Sequence, residues 1–119
     1  MDQGLDYLLS LHGSIVFRDD GYWWKIDVWE VQPTAFIPHG IRYSLTLHDK
    51  HSTRVFGIDN AHGIKLPKKG HYSGRLVYDP IHRTPSDKGY PYEFASAAQL
   101  IEDFFIKSEE VIAQREKRG

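Results

Sequence analysis

The sequence predicts an α+β domain: a curved antiparallel β-sheet of four to five strands, laid out as a meander and packed by a short N-terminal and a longer C-terminal α-helix. Three stretches carry that prediction. Ile41 to His48 alternates without a break, with Ile41, Tyr43, Leu45 and Leu47 on one face and Arg42, Ser44, Thr46 and His48 on the other. Tyr22 to Val31 alternates as well, directly after the turn residues Asp19-Asp20-Gly21. Past Ser96 the period changes, and Leu100, Ile101, Phe104, Phe105, Val111 and Ile112 form one apolar stripe at helical spacing.

In chain order, residues 3–12 set Leu5, Leu8, Leu9 and His12 at helical spacing, with Asp2 as N-cap and Gly13 as C-cap. So short a helix is marginal alone and must dock on something. Ser14 to Arg18 alternates, with Ile15 and Phe17 on one face, and leads into the first hairpin. On the second strand Trp24, Ile26 and Val28 share one face, while Trp23, Lys25, Asp27, Trp29 and Val31 share the other. Two readings of Trp23 and Trp29 follow. Either the terminal helices cover them as core, or they form a partner surface, as tryptophan does at binding hot spots.

Pro33 and Pro38 make 32–40 a loop. Thr53 to Ile58 returns as strand four after a turn at Asp49 to Ser52, which leaves His48 and His51 exposed. From Asp59 to Tyr92 periodicity fails, apart from a short edge strand at Arg75 to Tyr78. A compact domain rarely carries so long an irregular run without a functional reason. Ser96 and Gln99 then read as a capping box, and Arg115, Lys117 and Arg118 suit the negative end of the helix dipole.

The 119 residues make one domain of common size, able to bury a core. A net charge of -1 argues against coating nucleic acid by bulk charge. With no cysteine there is no disulfide framework and no thiolate zinc site. No stretch reaches the roughly 18 apolar residues of a membrane helix, so no membrane partner is expected. The start Met1-Asp2-Gln3 has no cationic signal-peptide region, so the expected address is cytoplasmic.

Charge is nonetheless concentrated. Between His62 and Arg83 stand five cations, Lys65, Lys68, Lys69, Arg75 and Arg83, against the single anion Asp79, with His62, His71 and His82 among them. One reading is a solvated loop. The other is a phosphate-facing surface, because Lys and Arg give charge-assisted hydrogen bonds to phosphate oxygens. Histidine titrates near neutral pH. Cleaving RNA without metal needs a base for the 2′-hydroxyl, an acid for the leaving 5′-oxygen and cations for the phosphorane. His62 and His82 suit the first two roles, Lys65, Lys68 or Arg83 the third, and Asp59 the orienting of an imidazole.

The same residues offer a competing metal reading through Asp59, His62, His71 and His82, but the usual zinc spacings are absent. No cofactor motif is present either: there is no Gly-x-Gly-x-x-Gly, Walker loop or nucleophile elbow. His39, before strand three, reaches the surface of Asp59 if strands three and four pair.

Pro38-His39-Gly40-Ile41-Arg42-Tyr43-Ser44-Leu45, followed by Gly57-Ile58-Asp59-Asn60-Ala61-His62, resembles the toxin component of TumE-type toxin–antitoxin systems. The likeness runs from residues 8–13 through the Glu-Asp-Phe-Phe of the last helix, and Asp-Asn-Ala-His is its most specific part. It implies a small prokaryotic toxin of type II, encoded beside an antitoxin that typically carries a winged-helix DNA-binding domain. Some members follow this core with Pro-His-His and His-x-His clusters. Here Gly63 to Gly70 intervenes and histidine returns at His71 and His82, of which His82 is favoured.

The resulting expectation is a metal-independent ribonuclease with His62, His82, Asp59 and Asn60 at its centre. Lys65, Lys68, Lys69, Arg75, Arg83, Arg42 and His39 would face RNA. The alternatives are a non-catalytic toxin or adaptor that binds protein through Trp23 and Trp29, and a metal-dependent nuclease. A homodimer is left open. An acidic antitoxin segment over the basic loop is expected, and salt should weaken that contact.

Overall fold

The computed structural model describes residues 4–34, 37, 39–60, 64–66, 70–72, 74–78 and 90–118. The elements are α1 (Leu5–Ser10), β1 (Ser14–Phe17), β2 (Trp23–Glu30), β3 (Ile41–His48), β4 (Arg54–Asp59), β5 (Ile64–Leu66), β6 (Gly70–Tyr72), β7 (Gly74–Val77), β8 (Tyr90–Tyr92) and α2 (Ala97–Arg118). The α+β class is as predicted. Six strands form one antiparallel sheet in the order β1-β2-β3-β4-β7-β8, and β5 pairs with β6 in a separate two-stranded sheet. The meander and the strand at Arg75 are therefore present. The three-residue strands β5, β6 and β8 correct the reading of 59–92 as otherwise irregular. Pro91 argues locally against a strand, yet a proline is tolerated on an edge.

The β1–β2 hairpin closes through Gly21 at φ +93°, a left-handed conformation that glycine adopts without strain. Its outermost pair is fixed by the Arg18 amide, which donates to the Tyr22 carbonyl at 2.8 Å. Helix α1 differs from its prediction. Asp2 lies outside the described residues, the N-cap is Gly4 with no side-chain hydrogen bond, and the C-cap is Leu11 rather than Gly13. The capping box of α2 is half made. The Gln99 amide donates to Ser96 Oγ at 3.1 Å, but the Gln99 side chain turns forward to Asp103 instead of back to Ser96.

Both helices lie on the Trp24–Ile26–Val28 side of the sheet. Phe104 stacks on Phe56 with centroids 5.9 Å apart, Trp24 meets Phe105 edge-on at 5.0 Å, and Leu8 of α1 is fully buried. Each such side chain contributes roughly 1.5–3 kcal/mol by leaving water. The reading of Trp23 and Trp29 as core beneath the helices is therefore wrong. Trp29 is 41% exposed and Trp23 packs between Phe17 and His48, all on the opposite face. Strand parity decides this, because neighbouring side chains on β2 cannot share a face.

His48 is likewise not the exposed residue expected of a hairpin flank. Its ring stacks on Trp23 at 4.0 Å and 11°, and its Nε2 shares a 2.9 Å hydrogen bond with Thr46 Oγ1. Burial, then the charges of Arg54 and Lys25, hold its pKa below the ordinary 6.5. The neutral ring is the folded form, so the unfolded chain takes up the proton first as pH falls. Stability should be level above about 6.5 and decline below it, toward the lowered folded value. Melting temperatures at about pH 7.5 and about pH 5 should differ less in His48→Gln than in the wild type. Equal acid losses in both would rule out this assignment.

Candidate functional site

The candidate site starts where β4 ends. Asn60 is 6% exposed and both polar atoms of its side chain are hydrogen-bonded: Nδ2 donates to the Ile41 carbonyl at 2.8 Å, and Oδ1 accepts the Tyr43 amide at 2.9 Å. The Asn60 backbone amide donates to the Tyr43 carbonyl at 3.2 Å. Strand β3 begins beyond the end of β4, so its first peptide groups lack a strand partner there. An asparagine amide, with one acceptor and two donor hydrogens, substitutes for the missing peptide. Asn60 thus acts through position, by tying the end of β4 to the start of β3.

Asp59 stands one residue before this clamp, on the open face. The registers align Asp27, Ser44, Asp59 and Arg75 in one row across β2, β3, β4 and β7. Asp59 Oδ2 accepts from Arg75 Nε at 3.2 Å, with the two side chains only 14% and 21% exposed. At the other end of the row Lys25 lies 3.7 Å from Asp27. Arg42 pairs with Trp29 across β2–β3 and is half-buried beside the Asn60 clamp. Arg42, Asp59, Asn60 and Arg75 therefore stand at one end of the sheet.

Tyr43 lies beneath them on the helix-covered face. Its hydroxyl is buried, makes no hydrogen bond among the described residues, and is pressed against Gly74. Burial first, and the Asp59 charge second, push its pKa far above that of free tyrosine, so it stays protonated. Tyr92 is raised by burial and by its 2.7 Å hydrogen bond to Asp103. Neither phenol is poised to exchange a proton near neutral pH.

Strands β3 and β4 do pair, yet His39 does not reach the surface of Asp59 as expected: it belongs to the same end of the sheet but to its other layer. Its ring lies 4.5 Å from Phe94, which in turn lies 5.8 Å from Tyr43. Lys65 is in β5, and the β5–β6 register sets it opposite His71. His62, Lys68, Lys69, His82 and Arg83 lie outside the described residues. Among the described residues no group of three or more His, Asp or Glu side chains could hold a metal ion. Two members of the competing metal set, His62 and His82, are likewise outside them.

The Asn60 clamp and the Asp59–Arg75 pair are what sequence reasoning missed. The alternation of β3 carried half of the necessary signal, since its length against β4 exposes the peptide groups that Asn60 serves. The β4–β7 pairing that brings Arg75 to Asp59 left no local trace.

No helix among the described residues is long and apolar enough to cross a membrane. No curated protein and no solved structure matches the chain. A family model described as Toxin TumE matches residues 6–115, from α1 to near the end of α2, and so takes in the whole row and its clamp. The chain belongs to the TumE toxin family.

Proposed function

We propose that this toxin arrests growth by cleaving RNA without a metal ion, with His62 and His82 exchanging the protons. The observation that carries the reading is the end of β4. Asn60 and the Asp59–Arg75 pair give a rigid floor, and His62 follows two residues later in the sequence. His62 takes the proton of the 2′-hydroxyl and His82 returns one to the leaving 5′-oxygen. His71, in register with Lys65, is the alternative donor.

Asp59 orients an imidazole while Arg75 steadies it, and Asn60 holds both in place. Lys65, Lys68, Lys69 and Arg83 meet the phosphorane charge. Arg42 and Arg75 extend the cationic surface along the RNA. The toxin works in the cytoplasm, and its cognate antitoxin carries a winged-helix DNA-binding domain.

The test is RNA end-mapping after induction, with His62→Ala beside the wild type. Wild type should leave 2′,3′-cyclic phosphate ends in the presence of chelator. His62→Ala should lose about 10²- to 10⁴-fold in cleavage rate and relieve growth arrest, with an unchanged circular dichroism spectrum. A His62→Ala protein that stays fully toxic removes His62 from the mechanism, and cleavage abolished by chelator favours the metal-dependent nuclease. The exposure of Trp29 supports a second reading, a non-catalytic toxin that binds a protein through the Trp23/Trp29 face. In that case Trp29→Ala abolishes toxicity and the histidines are dispensable.

A further inference from the structure

Strand β1 (Ser14–Phe17) is an edge of the main sheet, and among the described residues its four-residue length is its one protection as an edge. It carries no charge, no proline and no bulge, whereas the opposite edge strand, β8, contains Pro91. Ile15 is 51% exposed, Val16 41% and Phe17 75%, so apolar side chains meet water on both faces of one short strand.

Among the described residues the backbone of β1 has no strand partner on its outer side. The Arg18 amide bonds to Tyr22 in the same register that pairs Val16 with Trp24. Backbone groups alternate in direction along an antiparallel strand, so Val16 and Arg18 face β2 while Ile15 and Phe17 turn their N–H and C=O groups outward. Two residues thus present outward main-chain groups together with exposed apolar side chains. That is a template for one more strand. The chemistry it recognises is an extended peptide with apolar side chains at alternate positions.

We propose that β1 is the docking edge for an extended segment of the cognate antitoxin. A toxin family implies such a partner. The incoming strand bonds to Ile15 and Phe17 and continues the Phe17–Trp23–His48 aromatic row on the open face. Strand β1 lies three strand spacings from β4, roughly 14 Å across the sheet, and Ile15 and Phe17 are displaced along it from the Asp59 row as well. The contact differs from an acidic segment laid over the basic loop in what holds it, since main-chain bonds and apolar contact depend weakly on salt. The inference does not depend on ribonuclease activity.

The test uses the full-length toxin and purified full-length antitoxin in titration calorimetry. Ile15→Pro removes one outward donor and leaves the bonds from Val16 and Arg18 to β2 intact, because a proline is tolerated on an edge whose N–H faces solvent. Phe17→Lys places a charge on the edge. Each variant should weaken antitoxin binding by at least about 30-fold while remaining toxic, and raising NaCl to about 0.5 M should change wild-type affinity by less than about threefold. Because either variant could misfold, amide exchange of the wild-type complex is the second measurement. Ile15 and Phe17 amides should become protected when the antitoxin binds. Binding within twofold of wild type in folded variants overturns the proposal, as does an absence of protection. An isolated toxin that is dimeric in solution, and made monomeric by both substitutions, assigns the edge to a second copy and also overturns it.

Discussion

Asn60→Ala is expected to destabilise the fold by about 2–5 kcal/mol, because it leaves two buried backbone groups, the Tyr43 N–H and the Ile41 C=O, without a partner. The cost is not that of the deleted atoms, which bury little apolar surface. It is the desolvation of peptide groups that water cannot reach in a site only 6% exposed. Urea unfolding monitored by tryptophan fluorescence measures it, and a loss under about 1 kcal/mol would show that β3 holds its first residues without the clamp.

Asn60→Asp separates the two bonds. A carboxylate still accepts the Tyr43 amide but turns a second acceptor toward the Ile41 carbonyl. At neutral pH it should be at least as destabilising as alanine. Protonation restores a donor, so burial and the facing carbonyl raise the folded pKa above the unfolded value of about 3.9. The folded state then binds more protons than the unfolded one. Stability relative to wild type at the same pH should rise as pH falls through that window, opposite in sign to the His48 effect. A deficit that does not narrow with acid would show that the position is not closed to water.

Gly74→Ala is the second large effect, with an expected loss of about 3 kcal/mol. A Cβ at this position would come 2.5 Å from the Tyr43 hydroxyl oxygen and 3.2 Å from both the Asp59 and Tyr92 carbonyl oxygens. None of these can retreat easily, since Tyr43 is 1% exposed and the carbonyls belong to the flanking strands. Tyr43→Phe removes the worst contact. Alone it should lie within about 1 kcal/mol of wild type, because the lost hydroxyl has no hydrogen bond among the described residues. In the double variant more than half of the glycine loss should return, a coupling of about 1.5–2 kcal/mol. Strict additivity would place the strain elsewhere. Because β7 also carries Arg75 to Asp59, Gly74→Ala should reduce toxicity more than its stability loss alone explains, and activity normalised to folded protein measures that excess.

How much of this was legible depended on contrast between the two faces of each strand. β3 has helices on one side and an open surface on the other, and Ile41 to His48 matched the observed strand residue for residue. β2 and β4 were found with ends displaced by one residue. In β4 the register shift opposite Leu47 and His48 falls at Val55 and leaves the neighbours Val55 and Phe56 both buried, which interrupts the alternation at the start of the strand. The three-residue strands β5, β6 and β8 are too short to show a period. Asp59 was singled out because it ends a hydrophobic strand, but its partner Arg75 is 16 residues away and is reached only by pairing β7 with β4. Asn60 was grouped with the chemistry for the same local reason. Its engagement with β3 could be read only once the strands were in register.

The placement of α2 has a consequence for the order of events during synthesis. Ala97, Leu100, Phe104 and Ile112 cover the apolar face of a sheet whose every strand precedes them in the chain. A nascent polypeptide that has completed β8 still lacks the helix that packs on Phe56, Trp24 and Tyr92, and the contact of Trp24 with Phe105 joins distant parts of the chain. Contacts of that long range form slowly. The growing chain has no route to a finished toxin until its final 22-residue helix has been made, so premature termination anywhere before α2 should yield an inactive, aggregation-prone product rather than a partial poison.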